Sequence, residues 1–300
     1  MRPEELASEL RRRLPGLRVA EKEPMSAHCA FRIGGPADLF LEPGSESELL
    51  EALRFLTEQG ETPVIIGNGT NLLVRDEGVR APVIRIGEAL GGIDIDGETV
   101  TAGAGASLSR IAAAARDAGL SGFEFAHGIP GGLGGAIVMN AGAYGGEMKD
   151  VVISVRYLDE TGALRETEDP GFSYRRSRFS GGEGVILGAT LRLVPGPAAE
   201  IAARMLKLWE KRSSSQPLTK PSAGSTFKRP ATGYAAAMID GAGLKGVQIG
   251  GARVSEKHAG FVINTGGATC ADVLALMAHI QEAVRRKYGV LLEPEVKLIG

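Results

Sequence analysis

The stretch Gly67-Asn68-Gly69-Thr70-Asn71 lies between two short apolar segments, residues 62–66 and 72–74, that have the composition of β-strands. Small residues at such a turn leave backbone N–H groups accessible, because no side chain stands between them and an approaching anion. The stretch therefore predicts a phosphate-binding turn. An ordinary β-hairpin turn fits the same residues equally well, and this alternative stays open.

A second glycine-rich stretch, Ile129-Pro130-Gly131-Gly132-Leu133-Gly134-Gly135, favours the phosphate-binding interpretation. Two such turns are expected where a protein binds one dinucleotide diphosphate from two sides. The GxGxxG fingerprint of a Rossmann site and the P-loop GxxxxGK[ST] are both missing, so we expect a dinucleotide site of another type. Residues 122–146 show almost no hydrophobic periodicity, and we expect irregular backbone there rather than a helix or strand.

Composition and charge limit the class of function. The chain has 300 residues and a net charge of -2, which is not the basic excess that nucleic-acid binding requires. No stretch approaches the roughly 18 consecutive apolar residues of a membrane span, and the N-terminus lacks a secretory signal. We therefore expect a cytoplasmic protein without membrane insertion. The two cysteines, Cys29 and Cys270, have no metal-ligand spacing, so no metal site is expected.

The periodic segments predict a mixture of helices and strands, which is the α+β class. Ser45 and Ser107 are expected to cap helices, and Asp96-Gly97 is expected to be the turn of a hairpin. Further strands are expected over residues 151–158, 163–167 and 185–194.

The linker Pro195-Gly196-Pro197 is expected to precede a C-terminal α+β part with its own core. In that part we expect a helix around residues 201–209, a loop at Ser213-Ser214-Ser215, a strand over residues 260–264 and a helix over residues 270–288.

Three polar segments are candidates for chemistry. Tyr174-Arg175-Arg176-Ser177-Arg178 carries three guanidinium groups, which suit carboxylate or phosphate recognition, although an exposed basic loop is the favoured interpretation of these residues alone. Ser225 lies beside a glycine and near Lys228, so it is either a proton donor or a turn cap. Glu293 and Glu295 are by default solvent-exposed carboxylates.

Eight motifs, in order across nearly the whole chain, resemble those of the UDP-N-acetylenolpyruvoylglucosamine reductase family. They are Phe31-Arg32-Ile33-Gly34-Gly35-Pro36-Ala37, residues 67–74, residues 128–145, Tyr174-Arg175-Arg176-Ser177, residues 223–230, Gly243-Leu244-Lys245-Gly246, residues 250–260 and Leu292-Glu293-Pro294-Glu295-Val296. The short chain is similar to the compact subtype of the family, which lacks an inserted tyrosine-bearing loop.

The resemblance implies a fold, a cofactor and a reaction. It implies an FAD-binding fold of the vanillyl-alcohol-oxidase type in two subdomains, residues 1–80 and 81–195, followed by a C-terminal α+β substrate domain, residues 196–300. Members of the family reduce UDP-N-acetylglucosamine enolpyruvate to UDP-N-acetylmuramate in peptidoglycan precursor synthesis. They use non-covalently bound FAD, with NADPH as co-substrate. The expected partners are the UDP-sugar and NADPH, without an obligate protein partner.

The resemblance also implies roles for individual residues. Hydride addition to the enol ether leaves an enolate beside a carboxylate, which needs a cation and a proton donor. Arg175 would stabilise the enolate, Ser225 would donate the proton with the assistance of Lys228 or a water molecule, and Glu295 would hydrogen-bond the substrate carboxylate. The implied cofactor-binding residues are Gly67, Asn68, Gly69, Thr70, Asn71, Gly131, Gly132, Gly134, Gly135, Asn140 and Ala141. The implied substrate-binding residues are Tyr174, Arg229, Lys245 and His258.

Two other functions remain as alternatives. One is a different flavin oxidoreductase of the same fold, and the other is a flavin-binding protein without catalysis. A hydrolase that uses Ser225 is weakly supported, because the GxSxG elbow is missing.

Overall fold

Two of the helices begin at the predicted side-chain caps. Ser45 Oγ accepts a hydrogen bond from the Glu48 N–H at 3.2 Å, and Ser107 Oγ accepts one from the Arg110 N–H at 3.4 Å. These oxygens satisfy N–H groups that the start of a helix otherwise leaves without an acceptor. Both predicted caps are confirmed.

The computed structural model describes residues 1–300. The α-helices are α1 Pro3–Arg13, α2 Glu46–Glu58, α3 Leu108–Asp117, α4 Leu133–Val138, α5 Ala198–Ser215, α6 Ala235–Gly241 and α7 Cys270–Tyr288. The strands are β1 Arg18–Pro24, β2 Pro36–Glu42, β3 Val64–Ile66, β4 Leu72–Val74, β5 Val83–Arg85, β6 Ile93–Asp96, β7 Thr99–Gly103, β8 Leu120–Ser121, β9 Gly142–Ala143, β10 Gly146–Glu147, β11 Val152–Leu158, β12 Leu164–Thr167, β13 Val185–Arg192, β14 Val194–Pro195, β15 Gln248–Ile249, β16 Ala252–Val254, β17 Val262–Asn264 and β18 Lys297–Ile299. The mixture confirms the predicted α+β class.

The chain divides into two compact units, neither of which is continuous in sequence. The first unit comprises Met1–Glu21, Leu39–Asn68 and Ala81–Arg212, and the second comprises Lys22–Asp38, Gly69–Arg80 and Ser213–Gly300. The three-part division at residues 80 and 195 stays a prediction. No helix has the length and the apolar character that crossing a bilayer requires.

Two sheets form the framework of the first unit. One has the strand order β1-β2-β5-β3, in which β5 pairs in parallel with both β2 and β3. The other has the order β12-β11-β13-β7-β6 and is antiparallel throughout. Its β6–β7 hairpin turns at Asp96-Gly97, as predicted. A single hydrophobic core packs α1, α2 and α3 against these strands.

The second unit contains a three-stranded antiparallel sheet, β15-β16-β17, and a parallel pair, β4 with β18. Helix α7 spans the predicted residues and begins at Thr269, whose Oγ1 accepts a hydrogen bond from the Asp272 N–H at 3.0 Å. Val273, Leu276 and Ile280 are fully buried on one face of this helix. The spacing of these apolar residues is what made the helix predictable.

Three local predictions are wrong. The hairpin alternative for residues 67–71 fails because β3 pairs with β5 and β4 pairs with β18, so the two flanking strands do not pair with each other. Residues 122–146 contain helix α4, which is held by hydrogen bonds from the N–H groups of its first two residues to Ala106 and Ala104. Helix α5 continues through Ser213-Ser214-Ser215, which were expected to form a loop.

A buried carboxylate joins helix α5 to the segment that follows β8. Glu124 accepts hydrogen bonds from the Gly122 N–H at 2.8 Å, from Ser121 Oγ at 2.9 Å and from Arg204 Nε at 3.0 Å. Burial alone would raise the pKa of Glu124, but these hydrogen bonds outweigh burial and hold the pKa below its ordinary value. A depressed pKa means that the ionised group stabilises the fold above the unfolded-state pKa, about 4.3.

We expect Glu124→Gln to lower the free energy of unfolding at neutral pH by about 1–3 kcal/mol, because a charge-assisted network is removed. As pH falls below about 4.3 and through the lower folded-state pKa, wild type loses this contribution, so the difference between the two proteins narrows. Urea unfolding at a series of pH values measures the difference in free energy of unfolding between Glu124→Gln and wild type. Glu88→Gln is the matched control, since Glu88 is exposed and forms no ion pair. A stability difference that does not change with pH would contradict the stabilising role of ionised Glu124.

Candidate flavin and substrate site

The turn that follows β3 has the backbone character expected of an anion site. The N–H groups of Gly67, Asn68 and Gly69 donate to no acceptor within the protein. Gly69 has φ +62°, and a Cβ added there would lie 2.2 Å from the His28 carbonyl oxygen. A Cβ added at Gly67 would meet no protein atom within 4 Å. The fold therefore requires glycine at position 69 but not at position 67.

Asn71 has a role in the second unit that its motif did not reveal. Its Nδ2 donates to the Glu295 carbonyl oxygen at 3.2 Å, and its own carbonyl oxygen accepts from the Lys297 N–H at 2.9 Å. These contacts connect the end of the turn to the segment that carries a predicted catalytic residue. The assignment of Asn71 and Thr70 to the cofactor stays a prediction.

The second glycine-rich stretch leads into helix α4. Gly132 is its N-cap, and the N–H groups of Gly131, Gly132 and Gly135 donate to no acceptor within the protein. A Cβ at Gly134 would lie 3.1 Å from the Ala104 Cβ, whereas a Cβ at Gly135 would meet nothing within 4 Å. Accessible N–H groups without a side chain in front of them fit the diphosphate of a dinucleotide such as FAD.

A cleft of about 450 Å³ adjoins this stretch in the first unit, lined by residues 127–131 together with Ser107, Ser109 and Trp209. The Nδ1 atom of His127 is buried there without a hydrogen-bond partner. Burial, with a smaller effect of the Arg116 charge, lowers the pKa of His127. The imidazole is therefore neutral at pH 7. Trp209 was not predicted, because nothing in its sequence neighbourhood distinguishes it from a helix-surface residue.

Arg175 lies at a tight turn whose geometry the sequence did not reveal. Ser173 and Arg176 exchange backbone hydrogen bonds of 2.9 and 3.2 Å, so Tyr174 and Arg175 form the tip. Arg175 has φ +54°, which is an unfavourable conformation for a residue with a side chain. Its Nη1 donates to the Gly142 carbonyl oxygen at 3.4 Å, and its guanidinium lies 5.6 Å from the centre of the Tyr174 ring. Arg175 is half-buried, so the exposed-loop interpretation does not describe it.

In the second unit, Ser225 and Glu295 lie on neighbouring antiparallel segments. The Glu295 N–H donates to the Thr226 carbonyl oxygen, and the Lys228 N–H donates to the Glu293 carbonyl oxygen, both at 2.9 Å. Phe227 and Pro294 form the bridge between these two bonds. Two predicted catalytic residues separated by 70 positions are therefore brought together by backbone pairing.

Lys228 forms an ion pair with Glu293 through its Nζ atom. This pairing gives Lys228 a structural role, and its assistance to Ser225 stays a prediction.

Thr226 fixes the segment beside Ser225 through contacts that the sequence did not reveal. Its Oγ1 accepts from the Val262 N–H at 3.0 Å, and its own N–H donates to the Gly260 carbonyl oxygen at 2.9 Å. The residue is almost fully buried. No sequence signal marks it, because its partners lie far along the chain.

The predicted substrate residues of the second unit have distinct surroundings. His258 Nδ1 accepts from the Gly260 N–H at 3.2 Å, and burial, followed by the Lys245 charge, lowers the pKa of His258. The ring is therefore neutral with its proton on Nε2, which makes Nε2 a donor. Lys245 pairs with Asp240 at 2.8 Å. The Arg229 guanidinium lies 4.2 Å from the centre of the Tyr234 ring.

Sequence models of known families match two regions of this chain, and known proteins match most of its length. Residues 37–168 match the sequence model described as "FAD binding domain", and residues 216–299 match "UDP-N-acetylenolpyruvoylglucosamine reductase, C-terminal domain". The UDP-N-acetylenolpyruvoylglucosamine reductase of Caldanaerobacter subterraneus is 51% identical, covering 93% of this chain and 92% of that protein. The Agathobacter rectalis enzyme of the same name is 48% identical, covering 96% of each chain.

A solved structure from the same family also matches this chain. The crystal structure of UDP-N-acetylenolpyruvylglucosamine reductase from Thermus caldophilus superposes with a TM-score of 0.81 at 34% identity, covering 95% of this chain and 99% of that chain. The predicted FAD-binding fold is confirmed.

We expect Gly135→Ala to stabilise the apoprotein by about 0.5–1 kcal/mol, because alanine favours the helix and its Cβ enters open space. The same methyl group would obstruct the approach of a diphosphate, so we expect the Kd for FAD to rise at least about tenfold, equivalent to about 1.4 kcal/mol. Urea unfolding of apoprotein and flavin titration measure the two effects. Gly181→Ala, at an exposed glycine outside the predicted site, is the control. Unchanged FAD affinity in Gly135→Ala would contradict the assignment.

Proposed function

Because the chain belongs to the UDP-N-acetylenolpyruvoylglucosamine reductase family, we propose that it reduces UDP-N-acetylglucosamine enolpyruvate to UDP-N-acetylmuramate for peptidoglycan precursor synthesis. The observation that carries this proposal is that one chain combines an FAD binding domain with the C-terminal domain of that reductase. FAD is the bound cofactor, and NADPH is the reductant. The reaction takes place in the cytoplasm, where the UDP-sugar and NADPH are the partners.

The substrate determines what the protein must supply. Bound FAD, once reduced by NADPH, would supply hydride to the terminal carbon of the enol ether. Negative charge then spreads into the adjacent carboxylate as an enolate, which a fixed cation stabilises. The half-buried guanidinium of Arg175 has the charge and the bidentate geometry for this task. Its tight turn limits the backbone motion that would otherwise move the charge away from the substrate.

The second unit supplies the proton donor and the carboxyl group. Ser225 is exposed, so its hydroxyl is accessible to a ligand, while Thr226 beside it is buried and fixed. Ser225 donates a proton to the enolate carbon, which completes the addition of hydrogen across the double bond. Glu295 hydrogen-bonds the substrate carboxylate, a role that requires the protonated carboxyl group because an ionised side chain would repel the substrate.

The remaining polar residues bind the UDP-sugar. The Nε2–H of His258 donates to a phosphate or sugar oxygen, and Lys245 and Arg229 supply positive charge for the diphosphate. Tyr174 packs beside the substrate with an exposed ring. The division into FAD subdomains 1–80 and 81–195 and a substrate domain 196–300 is part of the same proposal.

Reconstitution with FAD tests the function. The purified protein is expected to be yellow and to oxidise NADPH rapidly only when the enolpyruvyl nucleotide is present, with UDP-N-acetylmuramate as the product by mass spectrometry. NADPH oxidation without dependence on the nucleotide would favour another flavin oxidoreductase, and a yellow protein that never oxidises NADPH would favour a flavin carrier. A protein that takes up no FAD would refute the proposal.

We expect Ser225→Ala to slow oxidation of the reduced enzyme by the enolpyruvyl nucleotide by about 10²–10⁴-fold, because the proton donor is lost. Reduction of the enzyme by NADPH should keep its rate, since that step involves no enolate. Anaerobic stopped-flow absorbance separates the two steps. Ser222→Ala, three residues earlier in the same loop, is the control and should behave as wild type. Full-rate oxidation of reduced Ser225→Ala would remove the proposed role.

A further inference from the structure

Two buried polar side chains connect the Arg175 turn to residues 138–140, which follow the second glycine-rich stretch, residues 129–135 (the flavin stretch). Asn140 and Ser177 are each only 1% exposed, and neither belongs to the catalytic set. Buried polar groups that are fully hydrogen-bonded specify a unique local arrangement. We propose that Asn140 and Ser177 are positioning residues that hold Arg175 in place for the reduction, an inference that rests on the proposed function.

The first anchor is the Asn140 amide. Its Nδ2 donates to Glu147 Oε2 at 2.7 Å and to the Ser173 carbonyl oxygen at 3.1 Å. Its Oδ1 accepts from the Lys149 N–H at 3.0 Å. Both amide hydrogens are therefore engaged within the protein, and the side chain has no donor left for a flavin. Asn140 fixes the turn two residues before Arg175.

The second anchor is the Val138 carbonyl oxygen at the end of α4. Ser177 Oγ donates to it at 3.0 Å and Ser180 Oγ donates to it at 2.7 Å, while the Ser177 N–H donates to Ser180 Oγ at 3.0 Å. These bonds fix the chain two residues after Arg175. Carbonyl groups at the end of a helix need such donors, because no further turn of the helix satisfies them.

The two anchors hold the chain before and after Arg175. Ser173 is bonded to Asn140, and Ser177 is bonded to Val138. A residue with positive φ persists only where its surroundings over-determine it. Arg175 satisfies this condition, since its turn is closed by the Ser173–Arg176 pair and held at both ends. The segment that begins at the flavin stretch thus also sets the position of the catalytic guanidinium.

The alternative for Asn140 is a direct flavin contact, as its motif position implied. A flavin ligand would affect FAD binding and every step of the reaction. A positioning residue for Arg175 would affect only the step that forms the enolate, because Arg175 has no role in reduction by NADPH.

The experiment uses full-length holoenzyme with Asn140→Gly, Ser177→Ala and the double variant Ser177→Ala/Ser180→Ala. Glycine is chosen at position 140 because φ there is +42°, so the backbone conformation is retained without a side chain. Ser173→Ala is the control, since Asn140 contacts the backbone oxygen of Ser173 and its hydroxyl is exposed. Readouts are FAD content, the two half-reactions, and hydrogen–deuterium exchange of the peptide covering residues 173–177.

In Asn140→Gly, oxidation of the reduced enzyme by the enolpyruvyl nucleotide is expected to slow by about 10–100-fold, the scale of a misplaced catalytic group. Ser177→Ala should have a smaller effect than the double variant, because Ser180 still donates to Val138. FAD content and reduction by NADPH should stay within about twofold of wild type, and residues 173–177 should exchange faster.

Three results would overturn the inference. Unchanged half-reactions and unchanged exchange in all variants would show that the anchors do not matter to Arg175. Parallel losses of FAD and of both half-reactions would show a flavin or merely structural role. Wild-type protein that binds FAD but does not reduce the nucleotide would refute the proposed function, and the positioning role with it.

Discussion

The three hydrogen bonds of the Asn140 side chain are the constraint on which the arrangement of the first unit's site depends. They connect the segment after the flavin stretch to strand β10 through Glu147, to the turn after β10 through Lys149, and to the Arg175 turn through Ser173. Of five non-glycine residues with positive φ, three are Asn140, Tyr144 and Arg175. Such conformations cost about 1–2 kcal/mol each, so their concentration here requires the buried hydrogen bonds that accompany them.

The second unit uses backbone pairing rather than side-chain bonds to bring its two proposed catalytic residues together. The distance between the Ser225 and Glu295 segments is set by amide-to-carbonyl bonds, and Thr226 fixes one segment from its other side. The parallel pair β4–β18 and the Asn71 amide hold the C-terminal segment in register. The distance between the Ser225 and Glu295 backbones therefore depends little on flexible side chains. Only the rotamers of Ser225 and Glu295 remain to be set by the ligand.

Local signals in the sequence predicted much of the fold. Ser45, Ser107 and the apolar spacing of residues 270–288 act within a few residues of themselves, so caps and helices could be inferred. Helix α4 could not, because its glycine-rich sequence gives no periodicity and its first two N–H groups bond to Ala106 and Ala104, nearly 30 residues earlier. The hairpin alternative at residues 67–71 failed for the same reason, since the partner of β4 lies at the C-terminus.

The site shows the same division between local and distant information. The residue types of Arg175, Ser225 and Glu295 came from motifs, whereas the contacts of Asn140, Ser177 and Thr226 depend on partners that no short motif includes. The glycines fall into two groups, those that packing within the protein requires and those that it does not. A Cβ at Gly69 would lie 2.2 Å from the His28 oxygen, and one at Gly35 would lie 2.1 Å from the Asp76 oxygen, so packing alone requires both. Gly67 and Gly135 meet no protein atom, and an ordered glycine costs conformational entropy. In the proposed function, the close approach of a diphosphate to the accessible N–H groups would supply the reason that packing does not.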